Sequence, residues 1–144
     1  MDIQIIEHIK GKIQVIIKCK EINNEVIRLK SHIEMFDTKL QAKRENNLYF
    51  VKVSDVLYFE AVDNKTFVYT EDDVMEMKQR LYELEIMLSE KDFIRTSKSQ
   101  IVNINKIKTL KPELNRTILA TLCNNEQLYI SRKYVQSFKA MLSI

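Results

Sequence analysis

The sequence predicts an α+β protein in which a mainly β domain with short helices follows a small N-terminal β-β-α unit. Short runs rich in Val, Ile, Tyr, Phe and Thr recur along the chain between turn residues, which is typical of hairpins. Apolar residues recur every three or four positions in only three segments, which predicts few and short helices. Gly11 is the only glycine and Pro112 the only proline, so no segment has the composition of a flexible linker.

The N-terminal unit is assigned to residues 1–37. The segment Lys12–Lys20 is rich in β-branched residues and is predicted to be a strand, with which the apolar segment Ile3–Ile9 can pair across the glycine. Asn23 or Asn24 can cap the helix that follows. The apolar positions of this helix are Val26, Leu29, Ile33 and Phe36. These apolar residues recur every three or four positions, which predicts that the helix has one apolar face.

The mainly β domain is assigned to residues 38–144. Its predicted strands are Leu40–Arg44, Leu48–Val53, Val56–Val62, Thr66–Thr70, Lys106–Leu110, Thr117–Cys123 and Gln127–Ile130. The turns between them contain Asn and Asp, which tolerate the positive φ that tight hairpins require. Two helices are predicted within this domain, one over Arg80–Glu90 and one from the N-cap Ser131 to Leu142.

Charge is distributed unevenly along the chain. Residues 71–90 contain seven acidic and two basic residues, a net charge of −5, whereas residues 91–144 contain ten basic and three acidic residues, a net charge of +7. A basic C-terminal part suits the neutralisation of phosphates. No apolar run is long enough to cross a bilayer and the N-terminus lacks the pattern of a signal peptide, so we predict a cytoplasmic protein without a membrane partner.

Catalytic, cofactor and metal motifs are missing from the sequence. His8 and His32 lie in no catalytic or ligand-like spacing, and one glycine cannot form a phosphate-binding loop. Cys19 and Cys123 stand far apart, which predicts neither a zinc site nor a disulfide framework, and both are expected to be buried structural cysteines. We therefore predict a protein that is not an enzyme and needs no cofactor.

Three segments place short polar and basic residues beside apolar strands. They are Asp63–Thr66, Arg95–Gln100 and Ser131–Tyr134, called segments one, two and three below. Lys, Arg, Asn, Ser and Thr are the residue types that contact phosphates and base edges, and a helix beginning after Ser131 would add backbone N–H donors. Solvated turns have a similar composition, so composition alone favours nucleic-acid binding only slightly.

Five motifs in a fixed order sharpen this interpretation. They are Val56–Ala61 followed by Asp63–Lys65, then Val68–Thr70, Leu81–Glu85, Phe93–Ser99 with Ile101–Asn103, and Ile130–Tyr134. From about residue 38 to its end, the sequence resembles the LytTR family of bacterial DNA-binding domains. The resemblance implies an elongated, largely β fold without a helix-turn-helix, whose loops enter successive major grooves and the minor groove between them.

The resemblance also implies which residues contact DNA. The implied contacts are Asn64, Lys65 and Thr66 in segment one, Arg95, Ser97, Lys98 and Ser99 in segment two, and Ser131, Arg132 and Lys133 in segment three. Ser97 stands where many members carry a histidine, which leaves the base read at that position open. Phe93, Ile94, Val102 and Phe138 are assigned to the core. Family members commonly read two repeated half-sites, so the expected partner is double-stranded DNA bound by a homodimer.

Many members carry a receiver domain of about 120 residues before the DNA-binding part. Because only about 37 residues precede it here, we expect a stand-alone transcription regulator whose N-terminal unit pairs with a second copy or another partner. The alternative is an interaction module that pairs with another regulator and blocks it, with which the amphipathic helix and the acidic stretch are compatible. RNA binding is disfavoured, because Tyr49, Tyr58 and Tyr69 lie among apolar residues and are expected to pack within the strands.

Overall fold

A computed structural model describes residues 1–7, 13–36 and 38–144. The strands are β1 (Lys39–Arg44), β2 (Asn47–Lys52), β3 (Tyr58–Val62), β4 (Lys65–Tyr69), β5 (Val74–Met77), β6 (Phe93–Ser97), β7 (Gln100–Asn103), β8 (Ile107–Pro112), β9 (Ile118–Leu122) and β10 (Gln127–Ile130). The helices are α1 (Asn24–Phe36), α2 (Leu81–Met87) and α3 (Arg132–Leu142). The predicted mainly β fold with short helices is therefore confirmed.

The strands form two antiparallel sheets. The larger has the order β2-β1-β5-β4-β3-β7-β6, and the smaller has the order β10-β9-β8. Most neighbouring strands are joined by tight turns, as the Asn- and Asp-containing segments predict. Asp63 and Asn64 have φ values of 50° and 64° between β3 and β4, and Asn125 has a φ of 70° between β9 and β10. These residue types adopt positive φ at low cost, which explains how the hairpins close without glycine.

Two apolar cores hold the sheets and helices together. The first joins β1 to β7 with α1 and α2, and Phe59 and Leu84 lie at its centre. The second joins the β7 side of the large sheet to the small sheet and α3, and Leu57 and Phe138 are buried in it. The core assignments are confirmed, since Phe93, Val102 and Phe138 are buried and Ile94 packs against the second core. Side chains at alternating positions of the strands therefore contribute to both cores.

The prediction for the N-terminal unit is right for the helix and wrong for the strands, as far as these residues are described. α1 forms, and the Asn23 Oδ1 accepts a hydrogen bond of 3.0 Å from the Val26 N–H, so Asn23 is the cap. Residues 1–7 and 13–19 contain no strand, and Ile13 is 98% exposed. A lone hairpin without a surface to cover it is only marginally stable, which explains the error. The predicted turn at Gly11 and His8 lie outside the described residues.

α1 packs on the mainly β part of the chain. Met35 is buried in the first core, and the Ser31 Oγ donates a hydrogen bond to the main-chain carbonyl of Glu90. These two contacts lie in the middle and at the end of the helix, whereas its first turn is mostly exposed. The helix therefore connects the N-terminal residues to the rest of the fold.

The cysteines and two of the secondary-structure elements differ from the sequence predictions. The prediction of buried cysteines is wrong: Cys19 and Cys123 are both exposed, and Cys123 follows the buried Leu122 at the end of β9, so the alternation of the strand directs it outward. β5 was not predicted, and α2 is shorter than predicted.

In the described ranges no group of His, Cys, Asp and Glu is arranged to hold a metal ion, and no helix there has the length and apolarity needed to cross a membrane.

Candidate nucleic-acid interface

Segment one is the tight turn of the β3–β4 hairpin. Val62 pairs with Lys65, so Asp63 and Asn64 form a two-residue turn in which both have positive φ. The side chains of Asn64 and Lys65 are exposed, whereas Thr66 is only 3% exposed and pairs with Ala61. Asn64 and Lys65 are therefore accessible to a ligand in this conformation, and Thr66 packs beneath them.

Segment two is the β6–β7 hairpin, which turns at Lys98 and Ser99. The pairing register shifts between Arg95 and Ser97, so Thr96 is the extra residue of a β-bulge and its side chain is buried. The Ser99 N–H donates a hydrogen bond of 3.2 Å to the Ser97 Oγ, which stabilises the turn locally. Lys98 and Ser99 are exposed at the tip, and Ser97 is partly buried.

Arg95 is engaged inside segment two and is not free at its surface. Its Nε donates to the Ser97 carbonyl at 3.0 Å, and its Nη2 donates to the Lys98 carbonyl at 2.6 Å. Its Nη1 donates to the Glu85 Oε2 at 2.8 Å, and the Arg95 side chain is only 18% exposed. A guanidinium has five N–H donors in a planar fork, which suits binding to several acceptors at once. The position predicted as a DNA contact therefore shapes the turn from within.

Segment three is the start of α3. Ser131 is the N-cap with extended backbone angles, and its side chain makes no capping hydrogen bond. The first-turn N–H groups of a helix lack partners within the helix and can bind an anion. Arg132 and Lys133 are exposed there, and the Lys133 Nζ lies 5.6 Å from the ring centre of Tyr134.

Backbone hydrogen bonds join the three segments to one another. The Ala61 N–H donates to the Ser99 carbonyl at 2.8 Å, which links the base of segment one to segment two. The Ser131 N–H donates to the Thr96 carbonyl at 2.8 Å, which links segment three to segment two. The bulge at Thr96 explains this second bond, because a bulged residue is left out of the strand ladder. Segment two therefore contacts each of the other two segments, and the exposed residues of all three are called the three-segment surface below.

An open cleft lies between segments one and two. Asn64, Lys65 and Lys98 line it together with Arg80 and Tyr82, from the beginning of α2. The charged residues of the lining are Lys65, Arg80, Arg95 and Lys98 with a single acid, Asp63, so its net charge is positive and favours an anionic ligand.

Arg80 is a residue of this region that the sequence did not identify. Its Nη1 donates a hydrogen bond of 2.9 Å to the Asn64 carbonyl, so it holds the turn of segment one. Its own N–H donates to the Glu83 Oε1 at 3.4 Å, the return bond of a helix N-terminus. The sequence correctly predicts that a helix starts near Arg80, but a hydrogen-bond partner 16 residues earlier in the chain gives no sequence signal.

Tyrosines behind the surface pack within the sheet. Tyr58 and Tyr69 are stacked with ring centres 4.3 Å apart, and Tyr49 packs against the first core. The Tyr69 Oη donates to Glu60 at 3.3 Å, and Glu60 also accepts a hydrogen bond from Gln100 at the base of segment two. Burial raises the pKa of Tyr58 and of Tyr69, and nearby carboxylates add to both increases. The expectation that these tyrosines pack within the strands is confirmed.

Comparisons with known proteins agree with this geometry. The family profile described as the LytTr DNA-binding domain matches residues 46–143. Two curated proteins of Staphylococcus aureus, from strains NCTC 8325 and COL, are named HTH-type transcriptional regulators. Each is 38% identical to this chain over 100 residues, which cover 69% of this chain and 67% of the relative.

A solved structure is also similar. The LytTr DNA-binding domain of a Bacillus cereus protein aligns with a TM-score of 0.72 and 33% identity, covering 75% of this chain and 99% of that domain. Strands separate each helix from the next in the described part of this chain, so no helix-turn-helix is present there, whatever the curated relatives are called.

Proposed function

The chain belongs to the LytTR family of DNA-binding domains, and from this premise we propose that it is a sequence-specific transcription regulator that binds double-stranded DNA through the three-segment surface. The observation that carries the proposal is the pair of backbone hydrogen bonds that join segment two to Ala61 and to Ser131. Because of these bonds, side chains from distant parts of the sequence can meet one duplex together.

The exposed side chains of the surface suit two kinds of contact. Lys65, Lys98 and Lys133 supply point charges for backbone phosphates, which position a protein on the duplex. Asn64 and Arg132 can form paired hydrogen bonds with adenine and guanine edges, which read sequence in the major groove. Unpaired N–H groups at the start of α3 add a further phosphate contact. In this proposal the loops occupy successive major grooves and the intervening minor groove.

The proposal extends to the assembly on DNA. Two repeated half-sites would be read by two copies of the chain, with the N-terminal residues forming the contact between the copies. Supporting this, Ile3, Ile5 and Ile13 are highly exposed, so each of these apolar side chains is available for contact with another chain. The same observation favours the second candidate function, an interaction module that binds and blocks another regulator.

Selection of duplexes from a random pool tests the proposed function. We expect enrichment of one sequence, and the affinity for the selected duplex should fall steeply as salt rises, because cationic contacts release counterions from DNA. A shuffled duplex of the same composition is the control. If no sequence were enriched, or if the enriched and the shuffled duplex bound equally weakly, the proposal would be contradicted and the interaction module favoured.

A further inference from the structure

Helix α2 connects to both hairpin turns of the three-segment surface through side chains. We infer that Arg80, Glu85 and Arg95 form a brace, the α2 brace, which holds segments one and two in the positions needed for DNA. The inference rests on the proposed function, since it concerns how the same surface is prepared for binding. In it Glu85 touches no DNA and acts as a positioning residue.

The brace has one arm to each segment. In the first arm Arg80 bonds the Asn64 carbonyl at 2.9 Å. In the second arm Arg95 donates a hydrogen bond of 2.8 Å to Glu85, and it also donates to the main-chain carbonyls of Ser97 and Lys98. The two arms leave α2 five residues apart, so one short helix fixes two turns that are 34 residues apart in the sequence.

The helix is itself anchored in the fold. Leu81 and Leu84 are buried in the first core, so the positions of their neighbours Arg80 and Glu85 are fixed by packed apolar side chains. Packed interiors are dense and resist deformation. The tips of the two turns, by contrast, are exposed and polar, so no packed apolar side chains hold them in place. The brace therefore transfers the rigidity of the core to the polar tips.

The direction in which DNA affinity changes when Glu85 is removed distinguishes simple repulsion from a positioning role. Glu85 is an acidic residue, about half exposed, close to a surface that we propose binds a polyanion. If its only effect on DNA were repulsion, its removal would strengthen binding. If it orients Arg95, its removal should weaken binding, because the Ser97 and Lys98 carbonyls lose their fixed donor and Lys98 loses its fixed position.

The test compares Glu85→Ala with Asp72→Ala on the duplex selected by the unmodified chain. Asp72 lies in the exposed β4–β5 turn, at the opposite end of β4 from segment one, so the control removes the same charge away from the brace. We expect Glu85→Ala to weaken binding about three- to tenfold, the range of a partly exposed charged hydrogen bond. Asp72→Ala should bind as the unmodified chain does. Equal or tighter binding by Glu85→Ala would overturn the inference.

A second substitution tests the shape of the second arm. Arg95→Lys keeps the positive charge but lacks the planar fork that reaches three acceptors. The brace predicts that Arg95→Lys weakens binding as much as Arg95→Ala does. Full binding by Arg95→Lys would show that a charge alone is needed at this position, which overturns the positioning role.

A measurement without DNA separates this inference from the proposed function. Amide hydrogen exchange of Lys98 and Ser99 should be about three- to tenfold faster in Glu85→Ala than in the unmodified chain. The Asn115 turn between β8 and β9 should exchange at an unchanged rate. Faster exchange in a chain that binds no duplex would refute the proposed function and leave the brace standing. Unchanged exchange at Lys98 and Ser99 would refute the brace.

Discussion

Segments two and three each contain an arginine that the sequence places at the DNA surface, and the two arginines differ in their surroundings. Arg95 in segment two bonds two carbonyls and Glu85, and it is mostly buried. Arg132 in segment three is exposed, with no hydrogen bond or ion pair to any described residue. This difference shows that residue type alone does not decide whether an arginine is available to contact DNA. A guanidinium whose donors are occupied shapes the surface, and one whose donors are free can reach a base.

The two segments also differ in how they are attached. Segment two is held by side chains from α2, whereas segment three is held by the backbone bond between Ser131 and Thr96 and by the packing of Phe138. We therefore expect that removing the Glu85 side chain mainly affects DNA binding, whereas removing the Phe138 side chain mainly affects the stability of the fold.

The largest effect is expected when free cations of both segments are removed together. Lys98→Ala, Arg132→Ala and Lys133→Ala in one chain should cost about 3–6 kcal/mol of binding free energy, because two phosphate contacts and one base contact are lost. The slope of log affinity against log salt should become shallower by about 2–3. Fluorescence anisotropy at several salt concentrations measures both quantities.

The control for this triple variant removes three exposed lysines elsewhere, Lys39, Lys43 and Lys139. Its net charge is the same, so a general electrostatic effect would weaken both variants alike. If both variants weakened equally, the assignment of the surface to segments two and three would be wrong.

The next largest effect concerns the attachment of segment three. Phe138→Ala should lower the free energy of unfolding by about 3–5 kcal/mol, because a large fully buried ring leaves a cavity in the second core. Urea unfolding followed by circular dichroism measures the loss. Leu114→Ala, at a fully exposed position, should change stability by less than about 0.5 kcal/mol. A cost below about 1 kcal/mol for Phe138→Ala would show that α3 is not anchored as described.

A smaller effect separates base reading from phosphate binding within segment three. Arg132→Ala should cost about 1–3 kcal/mol on the selected duplex and little on a shuffled duplex, so discrimination falls. Lys133→Ala should weaken both duplexes alike and reduce the salt slope by about 1. Competition binding with both duplexes distinguishes the two patterns, and a uniform loss for Arg132→Ala would assign that residue to a phosphate.

The smallest effect on stability is expected in the N-terminal residues. Ile13→Ser with Ile16→Ser should change the free energy of unfolding of the monomer by less than about 0.5 kcal/mol, because both side chains are exposed. Self-association on the duplex should nevertheless weaken if these residues join two copies. Sedimentation velocity with and without DNA measures the assembly, and an unchanged dimer would exclude them from the contact.

Local chemistry made much of the fold predictable. Asp63 and Asn64 are among the few residue types that accept positive φ, so the turn of segment one was visible in the sequence. Phe93, Val102 and Phe138 were correctly assigned to the core, and β10 has the predicted bounds. Local residue types and their spacing are enough to indicate these features.

Features that depend on distant partners were not predictable. The β-branched residues of the N-terminal segment have the same strand propensity as those of the sheets, but Ile13, Val15 and Ile16 are exposed and pack against no core. β5 spans only four residues, two of them methionine, and its pairing with β1 and β4 gives no local signal, so it was overlooked. Arg80 and Arg95 owe their roles to acceptors that only the folded chain brings near them.

The most direct test of the central claim is a titration of the isotopically labelled chain with its selected duplex, followed by backbone amide chemical shifts. The account predicts that the largest shift changes fall together in Asp63–Lys65, Ser97–Ser99 and Ser131–Lys133, with the same dissociation constant. Changes confined to one of these segments, or centred on β1 and β2, would contradict a single surface formed by all three.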